Sequence, residues 1–280
     1  MTIAFSVLGI LLATVIFLIA RKVRMKSERR NLIATPLPAK WQAILAKRFR
    51  IFNQLPAPLR SRLSGIMQVF LDEKSFEACG GLKEITDEIR VVVAAQACLL
   101  LVGLKKHGYF PRLRSILIYP GAYRDRRRRT FDLSDDDDDH VRLGESWNSG
   151  SVVLSWENVL AGAARDDDGM NVVYHEFAHQ LDQVDSSADG APPLPQRGDY
   201  SEWARVFSRE YEELVKATND PQSHPKPLLD TYGATNPAEF FAVSTETFFE
   251  MPHDLKEEHP ELFEQLAKYF GVNPTDWMES

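Results

Sequence analysis

The chain has 280 residues, with 33 Lys and Arg against 40 Asp and Glu, for a formal charge of −7. Its first thirty residues hold six bases and one acid, so the remainder carries −12; a body that acidic weighs against nucleic-acid binding as its main work. That remainder, about 250 residues, is enough for one large domain or for two lobes around a cleft.

Thr2 to Ala20 is uncharged and rich in Ile, Leu, Val and Phe. At ~1.5 Å per residue it is long enough to cross a ~30 Å hydrocarbon core. Arg21, Lys22, Arg24, Lys26, Arg29 and Arg30 follow, against the single acid Glu28. Charge placed after the apolar run, and not before it, is the order of an anchor rather than of a cleaved signal peptide. The pattern predicts a transmembrane helix over 1–20, a basic juxtamembrane linker over 21–35 and a folded domain over 36–280. The positive-inside rule then puts that domain in the cytoplasm, on a single-pass protein of the inner membrane.

Trp41 to about Phe76 reads as helices punctuated by Pro56 and Pro58. Val91 to Leu104 is too short for a second span and is interrupted by Gln96, so a core helix is expected over 87–105. Cys79 and Cys98, the only cysteines, sit in apolar company and read as reduced core residues. Apolar, β-branched runs predict strands near 114–119 and 151–156. Between them, Arg124 and Arg126 to Arg129 followed by Asp135 to Asp139 read as a solvated loop. The second strand is either an edge that pairs with an extended substrate backbone or an interior strand.

Asp166-Asp167-Asp168-Gly169 offers caps for an amphipathic helix from about Gly169 to Val184. Met170, Val172, Val173, Phe177 and Leu181 make its apolar set, with His175, Glu176, His179 and Asp182 on the other side. The two histidines are four residues apart, so both imidazoles can meet one metal, and Glu176 beside them can act as a base on water. Glycine and prolines between Ser186 and Pro195 stop the helix.

A catalytic zinc needs a third protein ligand. Asp185 stands where a longer local motif has its last one, but Asp182 replaces the glycine that would turn the chain there. Glu239 is the stronger candidate, in the first turn of a helix opened by Asn236-Pro237, although an acid favoured by the helix dipole is the plainer reading of it. Asp182 and Glu246 share faces with candidate ligands, and read either as hydrogen-bond support for them or as capping and surface groups. His107, His140, His224, His253 and His259 have no partner at ligand spacing. With helices near 201–217 and 259–270, the expected fold is α+β, mostly helical, with a small sheet beside the metal helix.

Some of these stretches resemble known families. Tyr232 to Phe241 resembles the third-ligand segment of the anthrax lethal factor protease, where a tyrosine precedes the glutamate by the same seven positions. In order along the chain, Phe76–Leu82, Thr86–Glu88, Ala94–Leu100, Gly144–Trp147, His175–Asp182 and Pro237–Val243 are similar to the Mlc titration factor A family of zinc peptidases. The likeness implies a zincin-like domain holding one zinc on His175, His179 and Glu239, with Glu176 as general base and Tyr232 steadying the oxyanion. It implies aminopeptidase-like hydrolysis of a peptide or protein substrate by a zinc-activated water, here expected on the cytoplasmic side of the membrane. It also implies another class of function, a regulatory binding protein that sequesters a transcriptional repressor of sugar uptake. A purely structural zinc is the third class, and a glutamate in the base position speaks against it.

Overall fold

The computed structural model describes residues 2–105, 108–121, 150–220 and 226–278. The chain opens with one helix, α1 (Thr2–Ala34), that runs without a break from the apolar stretch into the basic one. Helices α2 (Ala39–Arg48) and α3 (Arg50–Gln54) lead to α4 (Ala57–Glu73), which starts on a proline at its first turn, where a missing N–H costs nothing. The end of α1 is docked on α4. Arg29 forks the Glu73 carboxylate at 2.6 and 2.9 Å, and Gln68 donates to the carbonyls of Leu32 and Thr35.

This overturns the membrane reading. Among the described residues no helix is long and apolar enough to cross a membrane. The transmembrane anchor over 1–20, the membrane as a partner and the inner-membrane localisation are therefore not supported. Taken alone, the apolar stretch has the length of a span. In the fold it is the first part of a 33-residue helix whose basic second half is bound to the domain. Val15 to Ile19 lie exposed on it.

Three parallel strands form the sheet in the order β1 (Ser75–Ala78), β2 (Ser115–Tyr119), β3 (Ser151–Ser155), with Phe76, Ile116 and Val152 in register. The strand β1 extends a region read from sequence as helical. Parallel neighbours need a crossover, and α5 (Asp87–Leu99) supplies it between β1 and β2. The Thr86 hydroxyl accepts from the Ile89 N–H, and Asp87 and Glu88 sit at the positive end of the helix. From Val91 to Leu99 every residue of α5 is buried, as expected of a core helix, but it ends earlier than 105. Past its end the chain runs close against the C-terminal helix at Gly103, where a Cβ would stand 2.1 Å from the Phe270 carbonyl oxygen.

After β3 the chain is helical: α6 (Trp156–Ala164), α7 (Val172–Asp182), α8 (Asp199–Asn219), α9 (Pro237–Glu250), α10 (Pro252–Glu258) and α11 (Pro260–Phe270). The body is thus mostly helical α+β with a small sheet. Helix α7 is packed from two directions. Phe177 meets Phe110 with ring centres 4.8 Å apart and Phe70 at 5.8 Å. On the far side α9 lies along α7, backed by Trp203 and Phe207 of α8, which are stacked at 3.9 Å with Trp203 touching Phe241. Tyr174 of α7 meets Phe249 of α9 with ring centres 5.6 Å apart, and burying one such aromatic ring contributes about 1.5–3 kcal/mol.

Candidate metal centre

Helix α7 begins at Val172, later than the Asp166–Gly169 acids imply. Its cap is Asn171, whose Oδ1 accepts from the Val173 and Tyr174 N–H groups at 3.0 and 3.1 Å. Asn171 is chosen over the acids because it alone is fully buried with partners for its amide: Nδ2 donates to Gln96 Oε1 and Glu250 Oε1, both at 2.9 Å. The acids serve the loop before it. Asp168 accepts from the Met170 N–H at 3.1 Å, and Asp166 takes Arg50 and Gln54.

One turn in, His175 and His179 project from the same face. Helix α9 brings Glu239 to them from its first turn, held there by Asn236, whose side chain accepts from the Glu239 N–H at 3.0 Å. His175 Nε2 lies 2.9 Å from Glu239 Oε2; His179 Nε2 lies 3.3 Å from that oxygen and 3.3 Å from His175 Nε2. All three residues are buried, and among the described residues no other His, Cys, Asp or Glu group of three converges in this way.

These separations test the donor set for a metal. Bonds of ~2.0–2.1 Å in a tetrahedron place neighbouring ligand atoms roughly 3.3 Å apart. The observed triangle has that size. The chemistry of the atoms points the same way. His175 Nδ1 lies 2.8 Å from Glu246 Oε1; donating its proton there leaves a lone pair on Nε2, facing the Glu239 carboxylate and the second imidazole. Such a convergence calls for positive charge at its centre. Burial alone would lower the His175 pKa, but Glu246 and Glu239 outweigh it and raise it to about 10. Glu239 is held well below the usual carboxylate range, its two histidine neighbours overcoming its burial. The residues fit a divalent metal.

The chain matches the family model described as glucose-regulated metallo-peptidase M90 over residues 23–271. It belongs to the M90 family. An uncharacterized protein of Synechocystis is 40% identical over 270 residues, 96% of each chain. Mlc titration factor A of Serratia proteamaculans is 30% identical over 239 residues, 84% of this chain and 88% of its own. The protein of the same name from Escherichia fergusonii is 28% identical over 244 residues, 84% and 86% of the two chains.

The other residues of this M90 centre sort themselves by burial. Glu176 is half-buried on α7. Tyr232 is half-buried on the turn Thr231–Ala234, which Asp230 caps, and its ring centre is 5.9 Å from that of His175. Asp185 is exposed and turned away: its carboxylate accepts from Ser187 N and Oγ at 3.1 and 2.6 Å, and Ser186 takes the chain off at φ 80°. Asp182 does not hold His179. Its Oδ2 accepts from the Gly190 N–H at 3.0 Å, Oδ1 finds no hydrogen-bond partner among the described residues, and burial pushes its pKa up to about 6. A Cβ at Gly190, where φ is +78°, would meet the Pro237 carbonyl at 2.3 Å, so this loop glycine is wedged where α7 and α9 meet.

Glu246, one of the two readings of which was a surface acid, is 1% exposed and supports His175. Asn171, Gln96 and Glu250 went unread. The signal for them was present only in part: Glu239, Glu246 and Glu250 are spaced two turns and one further turn apart, on one face of α9. His253 pairs with the Met278 carbonyl and His259 with Glu210, both away from the centre. His107, His140, His224, the segment Gly144–Trp147 and the charged run from Arg124 to Asp139 lie outside the described residues.

Proposed function

We propose that this protein is a zinc-dependent peptidase, one zinc per chain, with His175, His179 and Glu239 as ligands, Glu176 as general base and Tyr232 as oxyanion donor. The observation that carries the reading is the ligand triangle of 2.9, 3.3 and 3.3 Å, matched to the edge of a tetrahedral zinc site. Zinc held there supplies Lewis acidity, which polarises a carbonyl and brings the pKa of water toward ~7. The residues do the rest. Glu176 takes a proton from the water as its oxygen bonds to the scissile carbon. The Tyr232 hydroxyl donates to the oxygen on which charge develops. Glu176 then returns the proton to the amide nitrogen as the C–N bond breaks, so that one water is consumed per bond cut. Short peptides with a free amino end are the substrate class, on the strength of the family likeness.

The name Mlc titration factor A, borne by two relatives, favours a second reading for this chain, the repressor-binding regulatory protein that the family likeness implies. One experiment separates the two. Metal content and peptide cleavage are measured on the full chain for wild type, Glu176→Gln and Glu239→Ala. The peptidase reading expects one zinc in wild type, zinc kept and turnover reduced ~10²–10⁴-fold in Glu176→Gln, and zinc lost in Glu239→Ala. Zinc bound without any cleavage would move the repressor reading to the front. Zinc retained by Glu239→Ala would remove the third ligand.

A further inference from the structure

Behind the ligand triangle, two carboxylates of α9 reach across to the start of α7. Glu246 uses both oxygens. Oε1 lies 2.8 Å from His175 Nδ1, and Oε2 accepts the backbone N–H of Asn171, the residue that caps α7. One turn later Glu250 accepts the Asn171 side chain through Oε1 and the Met170 N–H through Oε2, each at 2.9 Å. Glu250 touches the cap but no ligand. Glu246 touches both.

We propose that Glu246 is the positioning residue of the centre, tying the rotation of the His175 ring to the placement of the helix that carries both histidines. The inference rests on the zinc reading above and deepens it. A carboxylate is suited to the task because both of its oxygens only accept: one takes Nδ1–H, which leaves Nε2 free to ligate, and the other takes a backbone amide that has no partner inside its own helix. The donor of the third ligand and the holder of the first are thus one rigid element, α9. Glutamine at this place keeps the shape but has a single acceptor oxygen. It can serve the ring or the helix amide, and its NH₂ then faces the other donor.

The test compares Glu246→Gln and Glu250→Gln with wild type in the full chain. Zinc affinity is read by competition with a chelator, and the ligand geometry by the visible bands of the cobalt-loaded protein. Glu246→Gln is expected to weaken zinc ~10–100-fold and to shift the cobalt bands. Glu250→Gln is expected to lower thermal stability and leave both zinc affinity and bands as in wild type. Equal zinc affinity in wild type and Glu246→Gln overturns the proposal, as does an equal loss in both variants, which would mark a general effect of loosening α9. Should Glu246→Gln fail to fold, the His175 Nδ1 proton of zinc-loaded wild type decides: slow exchange with solvent is expected, and rapid exchange overturns the assignment. A wild type that binds no zinc is a different failure, because it removes the metal reading as well.

Discussion

The two sides of α7 are held by opposite means. On one side Phe177 lies against Phe110 and Phe70, a contact of rings that any apolar group of the right size could partly replace. On the other side His175, His179 and Asn171 meet Glu239, Glu246 and Glu250, where each contact is a directed hydrogen bond between buried groups. The apolar side is not free of directed chemistry either. Phe110 is aimed at Phe177 by a turn in which Gly108, Tyr109 and Phe110 all have positive φ, 56°, 58° and 55°. For the two non-glycine residues that conformation costs roughly 1–2 kcal/mol each. Lys74 opposes the strain by donating to the Phe110 and Leu113 carbonyls at 2.7 and 2.8 Å. Packing sets how firmly α7 is held, and Glu239 and Glu246 set where its histidines point.

The contrast is open to attack, beginning with its largest expected effect. Phe177→Ala should cost about 3–5 kcal/mol of stability, read by denaturant unfolding, while the folded fraction keeps one zinc. Zinc affinity lost at unchanged stability would show that the two sides are not separable. Tyr232→Phe, on the polar side, should cut turnover ~10²–10³-fold and leave zinc content and melting temperature alone. A smaller loss would reduce Tyr232 to a ring packed on His175. Asn171→Ala removes a cap worth about 0.5–2 kcal/mol, and it strands Gln96 and Glu250 as well. Both stability and zinc affinity should therefore fall, since this residue belongs to the polar side.

A separate effect concerns pH. Burial lowers the Lys74 amine to about 8, from an ordinary value of 10.5. Between those values the unfolded chain binds more protons than the folded one, so stability should climb as pH rises from about 8 to about 10.5. Below that window both states are protonated and the contribution is flat. The difference curve between wild type and Lys74→Met is the readout, and a curve without slope in the window would mean that the amine stays hydrated.

Much of the polar side was legible, and the reasons for the misses are physical. The four-residue spacing of His175 and His179 fixes a shared face whatever surrounds the helix. Glu239 was within reach because proline after asparagine marks a helix start, yet its approach to the histidines is a fact of how α9 packs. Glu246 could be read two ways because its face is visible in sequence and its burial is not. Four residues from Asp166 to Asn171 can cap a helix, and only the partners Gln96 and Glu250, 75 and 79 residues away, select Asn171. On the apolar side, the β1 strand is four residues long and follows a helix directly, which leaves no periodicity to see. The stretch 2–20 was misjudged for a related reason: the bases after it were read as the flank of an anchor, whereas Arg29 among them docks on Glu73 of α4.

The row of glutamates on α9 has one more consequence. A helix advances ~1.5 Å and turns ~100° per residue, so α9 acts as a ruler on which the third ligand and the brace for the first are marked seven residues apart. Deleting one residue between Glu239 and Glu246 would preserve every side chain of the centre and still swing the brace about a quarter-turn away from His175. Substitutions along that buried stretch can be absorbed where they keep its volume; changes of length cannot.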